Sequence, residues 1–254
     1  PEDPDGQPMD DPVHGPSFWL EQAQRYGEIE RNPESEAVLR KGLALFPQDA
    51  YLHAYLSWAL YRLRRYQESS LEAATALSID RDSDLAHYVL ALVAIVNGKR
   101  NAAIEMANNG LRRNPDNANL SIAKGLALYE LGRYEAAACE FQSVLAKNTT
   151  SLFGRFHLGK SRLAMGDYRS SSQVAQELAR LYPNESLTHE LMGRLAYETG
   201  RAREAIKHYK ECLRISPHDT EVQQLLAIAE SASGFLTRPL YLYVVFCQHH
   251  KTLV

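Results

Sequence analysis

The chain overlaps itself when it is slid by 34 residues, and this property restricts the fold more than any other. "LSWALYRLRRYQES" (56–69), "LALVAIVNGKRNAA" (90–103), "KGLALYELGRYEAA" (124–137), "LGKSRLAMGDYRSS" (158–171) and "MGRLAYETGRAREA" (192–205) fall into register. A divergent copy, "QAQRYGEIERNPES" (22–35), stands one period earlier. Six units tile residues 16–219 without an insertion, starting at Pro16, Ala50, Asp84, Ala118, Leu152 and Ser186. Their apolar residues recur at helical spacing, and β-type alternation is absent. A fixed period of this length marks units that cannot bury an apolar face alone and that stack to do so.

With each unit numbered from 1, position 8 holds Ala23, Ser57, Ala91, Gly125, Gly159 and Gly193. Position 20 holds Ser35, Ser69, Ala103, Ala137, Ser171 and Ala205. Position 15 holds Gly98, Gly132, Gly166 and Gly200, and glycine is favoured where a helix ends in a left-handed turn. Position 32 holds Pro47, Pro115, Pro183 and Pro217, which stop a helix. On these residues, over residues 16–219, the sequence resembles the tetratricopeptide repeat family. The resemblance implies an all-α fold, a right-handed superhelical solenoid of antiparallel helix pairs. Its repeats are 16–49, 50–83, 84–117, 118–151, 152–185 and 186–219, with helix A meeting helix B at the small residues of positions 8 and 20. Residues 220–233, "TEVQQLLAIAESAS", then supply a capping helix. Val222, Leu225, Leu226 and Ala229 lie on one face of it, with Glu221, Gln224 and Glu230 elsewhere.

The ends have a different character. Residues 1–15, "PEDPDGQPMDDPVHG", are rich in proline and acid and read as a flexible leader. In the apolar tail, 234–254, Leu240 to Cys247 is wholly apolar or tyrosine, too short for the roughly 20 residues that span a bilayer. Three readings of the tail stand: it docks on the solenoid, it is an interfacial anchor or the start of a membrane segment through 235–247, or it is a disordered end. The three cysteines, Cys139, Cys212 and Cys247, form neither a disulfide framework nor a metal knuckle. They suit a reducing compartment. A cytoplasmic protein, in one reading associated with a membrane, is the expectation. A net charge of −3 without a basic run excludes the footprint of a nucleic-acid binder.

No constellation for catalysis is present: no phosphate loop, no nucleophile elbow and no zinc-protease helix. The chain is expected to be non-enzymatic, without cofactor or metal. His53, His87 and His189 share position 4, but neighbouring repeats stand about 10 Å apart, so they read as packing histidines rather than a metal ladder. His249 and His250 lack a third ligand at workable spacing. Cys212, at position 27, reads as a small core residue.

In the family that this sequence resembles, the A helices line a groove, and positions 2, 5, 9 and 12 look into it. Those positions carry Tyr51, Ala54, Trp58 and Tyr61, then Leu85, Tyr88, Leu92 and Ile95, then Asn119, Ile122, Leu126 and Tyr129. Phe153, Phe156, Lys160 and Leu163 follow, and after them Leu187, Glu190, Arg194 and Tyr197. A contiguous exposed apolar patch marks a binding site. The residues singled out for a partner are Tyr51, Trp58, Tyr61, Tyr88, Leu92, Ile95, Leu126, Tyr129, Phe153, Phe156, Lys160, Arg194 and Tyr197. The expected partner is another protein, bound through a peptide or amphipathic helix. Self-occupancy by the leader or tail and self-association are the alternatives. The Lys, Asn and Arg that clamp a terminal carboxylate in chaperone-binding relatives are replaced here by Leu20, Gln24, Tyr55, Leu85 and Val89, which excludes that ligand for the first three repeats. Lys124, Arg155 and Arg162 stand where apolar residues are usual, and with Lys160 and Arg194 they predict a basic spot with Glu130, Glu190 and Glu198 as its acidic partners.

Overall fold

A computed structural model describes residues 15–234. The leader up to residue 14, the tail from residue 235, Cys247, His249 and His250 lie outside the described residues. Thirteen helices and no strand occur among the described residues. The A helices are α1 (Pro16–Glu28), α3 (Ala50–Arg62), α5 (Asp84–Val96), α7 (Ala118–Glu130), α9 (Leu152–Ala164) and α11 (Ser186–Glu198). The B helices are α2 (Asn32–Leu45), α4 (Tyr66–Ile79), α6 (Arg100–Leu111), α8 (Tyr134–Lys147), α10 (Tyr168–Leu181) and α12 (Ala202–Ile215), and α13 (Thr220–Gly234) follows them. Every A helix begins at position 1 of its repeat and every B helix at position 17.

This regularity has local causes. The residue before four of the six A helices caps it: the side chains of Asp49, Ser83, Asn117 and Ser151 accept from the backbone N–H three residues on, and Asp219 does the same for α13. Each A helix ends at position 15 in a left-handed residue. Gly98, Gly132, Gly166 and Gly200 have φ of 71°, 73°, 77° and 78°. In the first two repeats Glu30 and Arg64 are forced into the same turn, at φ 60° and 61°. A side chain there is strained, so Arg64→Gly is expected to stabilise the protein by about 0.5–1 kcal/mol, after the greater entropy of glycine in the unfolded chain is subtracted. Urea unfolding of the single variant checks this, and an unchanged or lower midpoint contradicts it.

The described residues form two compact units, which divide between Lys147 and Asn148. In the first, three clusters follow the order of the helices. Trp19, Val38, Leu39, Leu52, Leu56 and Leu60 join α1, α2 and α3. Ala54, Ala73, Ala76, Ala86, Val89 and Val93 join α3, α4 and α5. Ala91, Leu92, Ala103, Ala107, Ala123 and Ala127 join α5, α6 and α7. In the second unit Ala196, Ala205, Tyr209, Cys212, Val222 and Ala229 bring α11, α12 and α13 together.

Within a repeat the helices are held at positions 8 and 20 by more than small size. The Ser35 hydroxyl donates to the Ala23 carbonyl at 2.9 Å, Ser69 to Ser57 at 2.8 Å and Ser171 to Gly159 at 3.0 Å. Each bond crosses from helix B to helix A, so the buried hydroxyls are satisfied where the backbones approach most closely.

Candidate functional site

The first unit carries most of the aromatic residues singled out by sequence. α3 and α5 stand side by side and bring Trp58, Tyr61 and Tyr88 together. Trp58 and Tyr61 are stacked with centroids 5.6 Å apart and 14° between planes. Trp58 and Tyr88 are 5.8 Å apart at 34°. These separations suit favourable offset ring contacts. All three rings are half-buried, packed on the alanine-rich core behind them. Tyr61 also meets Tyr66 at 5.7 Å, and Tyr129 meets Tyr134 at 5.1 Å, which ties the groove stripe to the turn-side aromatic of position 17. Burial, and then the neighbouring Tyr61, pushes the Tyr88 phenol up to about 12. Burial likewise raises Tyr61. Both are therefore neutral phenols at physiological pH.

Residues on the same stripe do not share one environment. Tyr51 is 62% exposed, while Ile95, Leu126 and Tyr129 are half-buried. Leu92 is buried, which departs from its expected place on an open face. The alanines at 103, 107, 123 and 127 leave a hollow between α5, α6 and α7, and Leu92 fills it. Ala54 is buried in the preceding cluster for a similar reason. Tyr55, at the edge of the expected groove, packs against the first cluster instead.

The second unit has a polar version of this face. Phe153 on α9 is 38% exposed and lies 4.1 Å from the His157 ring. Phe156 is buried rather than open to a partner, with His157 edge-on at 4.9 Å and the Lys160 ammonium over its ring at 5.7 Å. Tyr197 is half-buried on α11. The Arg194 Nε donates to Glu190 Oε1 at 2.7 Å, one turn back on α11. Its Nη2 donates to Glu221 Oε1 on α13, and the Lys160 Nζ lies 3.6 Å from that same oxygen. Burial, followed by Lys160 and Arg194, pushes the His157 imidazole down to about 3. Burial and then Arg194 lower Lys160, against the pull of Glu221.

The basic spot expected from sequence is differently arranged. Glu190 is a partner as anticipated, but Glu130 is taken by Arg100 at 3.0 Å. Lys124 belongs to the first unit and pairs with Glu140 on α8 at 2.7 Å. Arg155 pairs with Glu177 on α10 at 3.2 Å. Glu221, which the sequence placed away from the core face of the cap, is the acid that joins Lys160 to Arg194.

The position-4 histidines have a role that sequence reasoning missed. The His53 Nε2 donates to the Pro47 carbonyl at 3.1 Å, and His87 Nε2 to Arg81 at 3.2 Å. Arg155 reaches Thr149 in the same way at 2.6 Å, and Gln223 reaches Pro217 at 2.8 Å. Each donor reaches back six residues to the loop that enters its own helix. The signal in the sequence was a donor recurring at position 4, whatever its type. His189 instead meets His208 of α12, with Nδ1 atoms 3.4 Å apart. Among the described residues no group of three or more His, Cys, Asp or Glu is arranged to hold a metal. Cys212 is buried in the core. No helix among the described residues is long and apolar enough to cross a membrane.

Comparison with known proteins places this geometry. The profile described as tetratricopeptide repeat matches residues 20–85, 88–151 and 156–220. Anaphase-promoting complex subunit 3 of Schizosaccharomyces pombe is 18% identical over 196 residues, which cover 77% of this chain and 30% of that protein. Human peptidyl-prolyl cis-trans isomerase FKBP4 is 28% identical over 180 residues, covering 68% of this chain and 35% of that protein. The chain thus spans about a third of the length of these curated relatives. Among solved structures, the APC/C hetero-tetramer Cut9-Hcn1 shares the fold with a TM-score of 0.75 at 17% identity, over 85% of this chain and 43% of that one. The chain belongs to the tetratricopeptide repeat family, and its helix pairs form a protein-interaction scaffold of that family.

Proposed function

We propose that the protein is a non-enzymatic adaptor that takes an apolar peptide or amphipathic helix of another protein on the A-helix face of its first unit. The observation that carries this reading is the ring cluster of Trp58, Tyr61 and Tyr88. The rings lie on the outer side of the core, only half-buried, while Leu56, Ser57, Leu60, Ser69 and Ala76 of the same repeat are buried. Three large rings beyond that core, with Tyr51 exposed on the same helix, form the kind of aromatic anchor set that dominates binding energy at protein interfaces.

The test is partner capture on immobilised protein with Trp58→Ala plus Tyr129→Ala, and separately with Tyr51→Ala. The last residue is exposed enough that its loss leaves the fold intact. Each is expected to weaken partner binding by about tenfold or more. Unchanged affinity in both variants, with folding matched by circular dichroism, overturns the reading.

A further inference from the structure

We infer that a bound partner supplies a side-chain carboxylate to Lys160 and Arg194, and that Glu221 of the capping helix holds that place in the free protein. The inference rests on the adaptor reading and specifies the partner's chemistry at the second unit. Lys160 and Arg194 occupy the same repeat position, 9, on the neighbouring helices α9 and α11. Their side chains are only 15% and 17% exposed, so both cations are largely withdrawn from water. Such a pair needs anions close by. Glu190 offsets one charge from beneath, as the buried i,i+4 partner of Arg194. His157, held neutral, adds no charge. Oε1 of Glu221 contacts both cations, donated to by Arg194 Nη2 and lying 3.6 Å from Lys160 Nζ.

Glu221 differs from the other three members of this network. Its side chain is 61% exposed, and it stands in the first turn of α13, whose hold on the core comes from Val222 and Ala229. The carboxylate can therefore swing into solvent while the helix stays docked. An incoming carboxylate takes over the contact that Glu221 releases, so the two withdrawn cations keep an anion beside them throughout the exchange. Lys160 lies over the Phe156 ring, and the exposed Phe153 lies one helical turn before Phe156. This arrangement fits a partner segment in which an Asp or Glu is followed by an apolar residue.

The experiment uses two acetylated, amidated peptides, Leu-Glu-Leu-Glu-Phe and its counterpart Leu-Gln-Leu-Gln-Phe. Neither has a terminal carboxylate, so any discrimination comes from side chains. Binding is read from the Arg194 Nε–H resonance in the ¹⁵N spectrum. The acidic peptide is expected to bind in preference to the neutral one, and Glu221→Gln, which removes the internal competitor, to tighten it by about five- to tenfold. Arg194→Gln would strand buried Glu190 and risks unfolding, so Lys160→Met is the loss variant: it is expected to abolish the preference with the thermal transition retained. Equal binding of the two peptides, or no gain from Glu221→Gln, overturns the inference. Were charge discrimination absent while Trp58 and Tyr51 substitutions still released the partner, the adaptor reading would survive. Charge discrimination together with full partner binding by the Trp58 and Tyr51 variants would do the reverse.

Discussion

Replacing Phe141 by alanine is expected to remove about 3–5 kcal/mol from the stability of the first unit, which makes it the most damaging single truncation there. The reason lies in a size match between two helices. Phe141 of α8 is fully buried, and its ring lies against the backbone of α7 at Gly125. A Cβ at Gly125 would meet Cζ, Cε1 and Cε2 of that ring at 2.8, 2.9 and 3.2 Å. The small residue of position 8 is thus the socket for the ring, and neither can change alone. Gly125→Ala removes a helix-disfavouring glycine, a gain of about 1 kcal/mol, but overpacks by about 1–3 kcal/mol. Combined with Phe141→Leu, the added methyl enters space that the ring has left. Urea unfolding of the two singles and the double completes the cycle, and a coupling of about 1 kcal/mol is expected. Strict additivity would show that the two residues do not share a contact. Gly193 and Tyr209 repeat the arrangement in the second unit, where the Cβ would lie 2.5 Å from Cε1 of the ring.

The second large effect is on acid stability. His157 is buried, and its imidazole is held down to about 3 by burial first and by Lys160 and Arg194 after it. The unfolded chain takes up a proton near 6.5, the folded chain only near 3. The stability that this group confers is therefore complete above pH 6.5 and falls as pH drops towards 3. One proton taken up on unfolding corresponds to about 1.4 kcal/mol per pH unit, or about 2 kcal/mol between pH 6.5 and pH 5. His157→Gln, which cannot titrate, is expected to remove that slope from the unfolding of the second unit. Burial raises the Glu190 carboxyl, but that group is present in wild type and variant alike, so the comparison isolates the imidazole. Identical slopes for wild type and variant would place the acid sensitivity elsewhere.

The repeat was legible because it rests on residues whose physics is local. A glycine at position 15 sets a left-handed turn, a proline at position 32 ends a helix, and small residues at positions 8 and 20 allow close approach. These needed no knowledge of neighbours. The face was legible only in outline, because burial at position 9 is decided by the next helices. Leu92 and Trp58 occupy that same position in successive repeats. Leu92 sinks because Ala103, Ala107, Ala123 and Ala127 leave room, whereas the Trp58 indole spans the top of the same alanine layer. Glu221 escaped notice for a different reason. Polar residues of a terminal helix read as solvated, and only the position of α13 beside α9 and α11 side chains shows that this one meets two cations. The position-4 bonds to the preceding loop were hidden because His, Arg and Gln differ in type while sharing a donor. In "YLSWALYRLRRY", Tyr55 belongs to the scaffold, and Trp58 and Tyr61 form the proposed anchor.

The central claim, that the A-helix face of the first unit is where a partner binds, is tested most directly by site-specific photocrosslinking. A benzophenone side chain is placed in turn at Tyr51 and Tyr61 on α3 and at Leu71 on α4, which is as exposed as Tyr51 but lies on helix B. The account predicts that the same partner is crosslinked from positions 51 and 61 and not from 71. Crosslinking from 71 alone, or equally from all three, would contradict it.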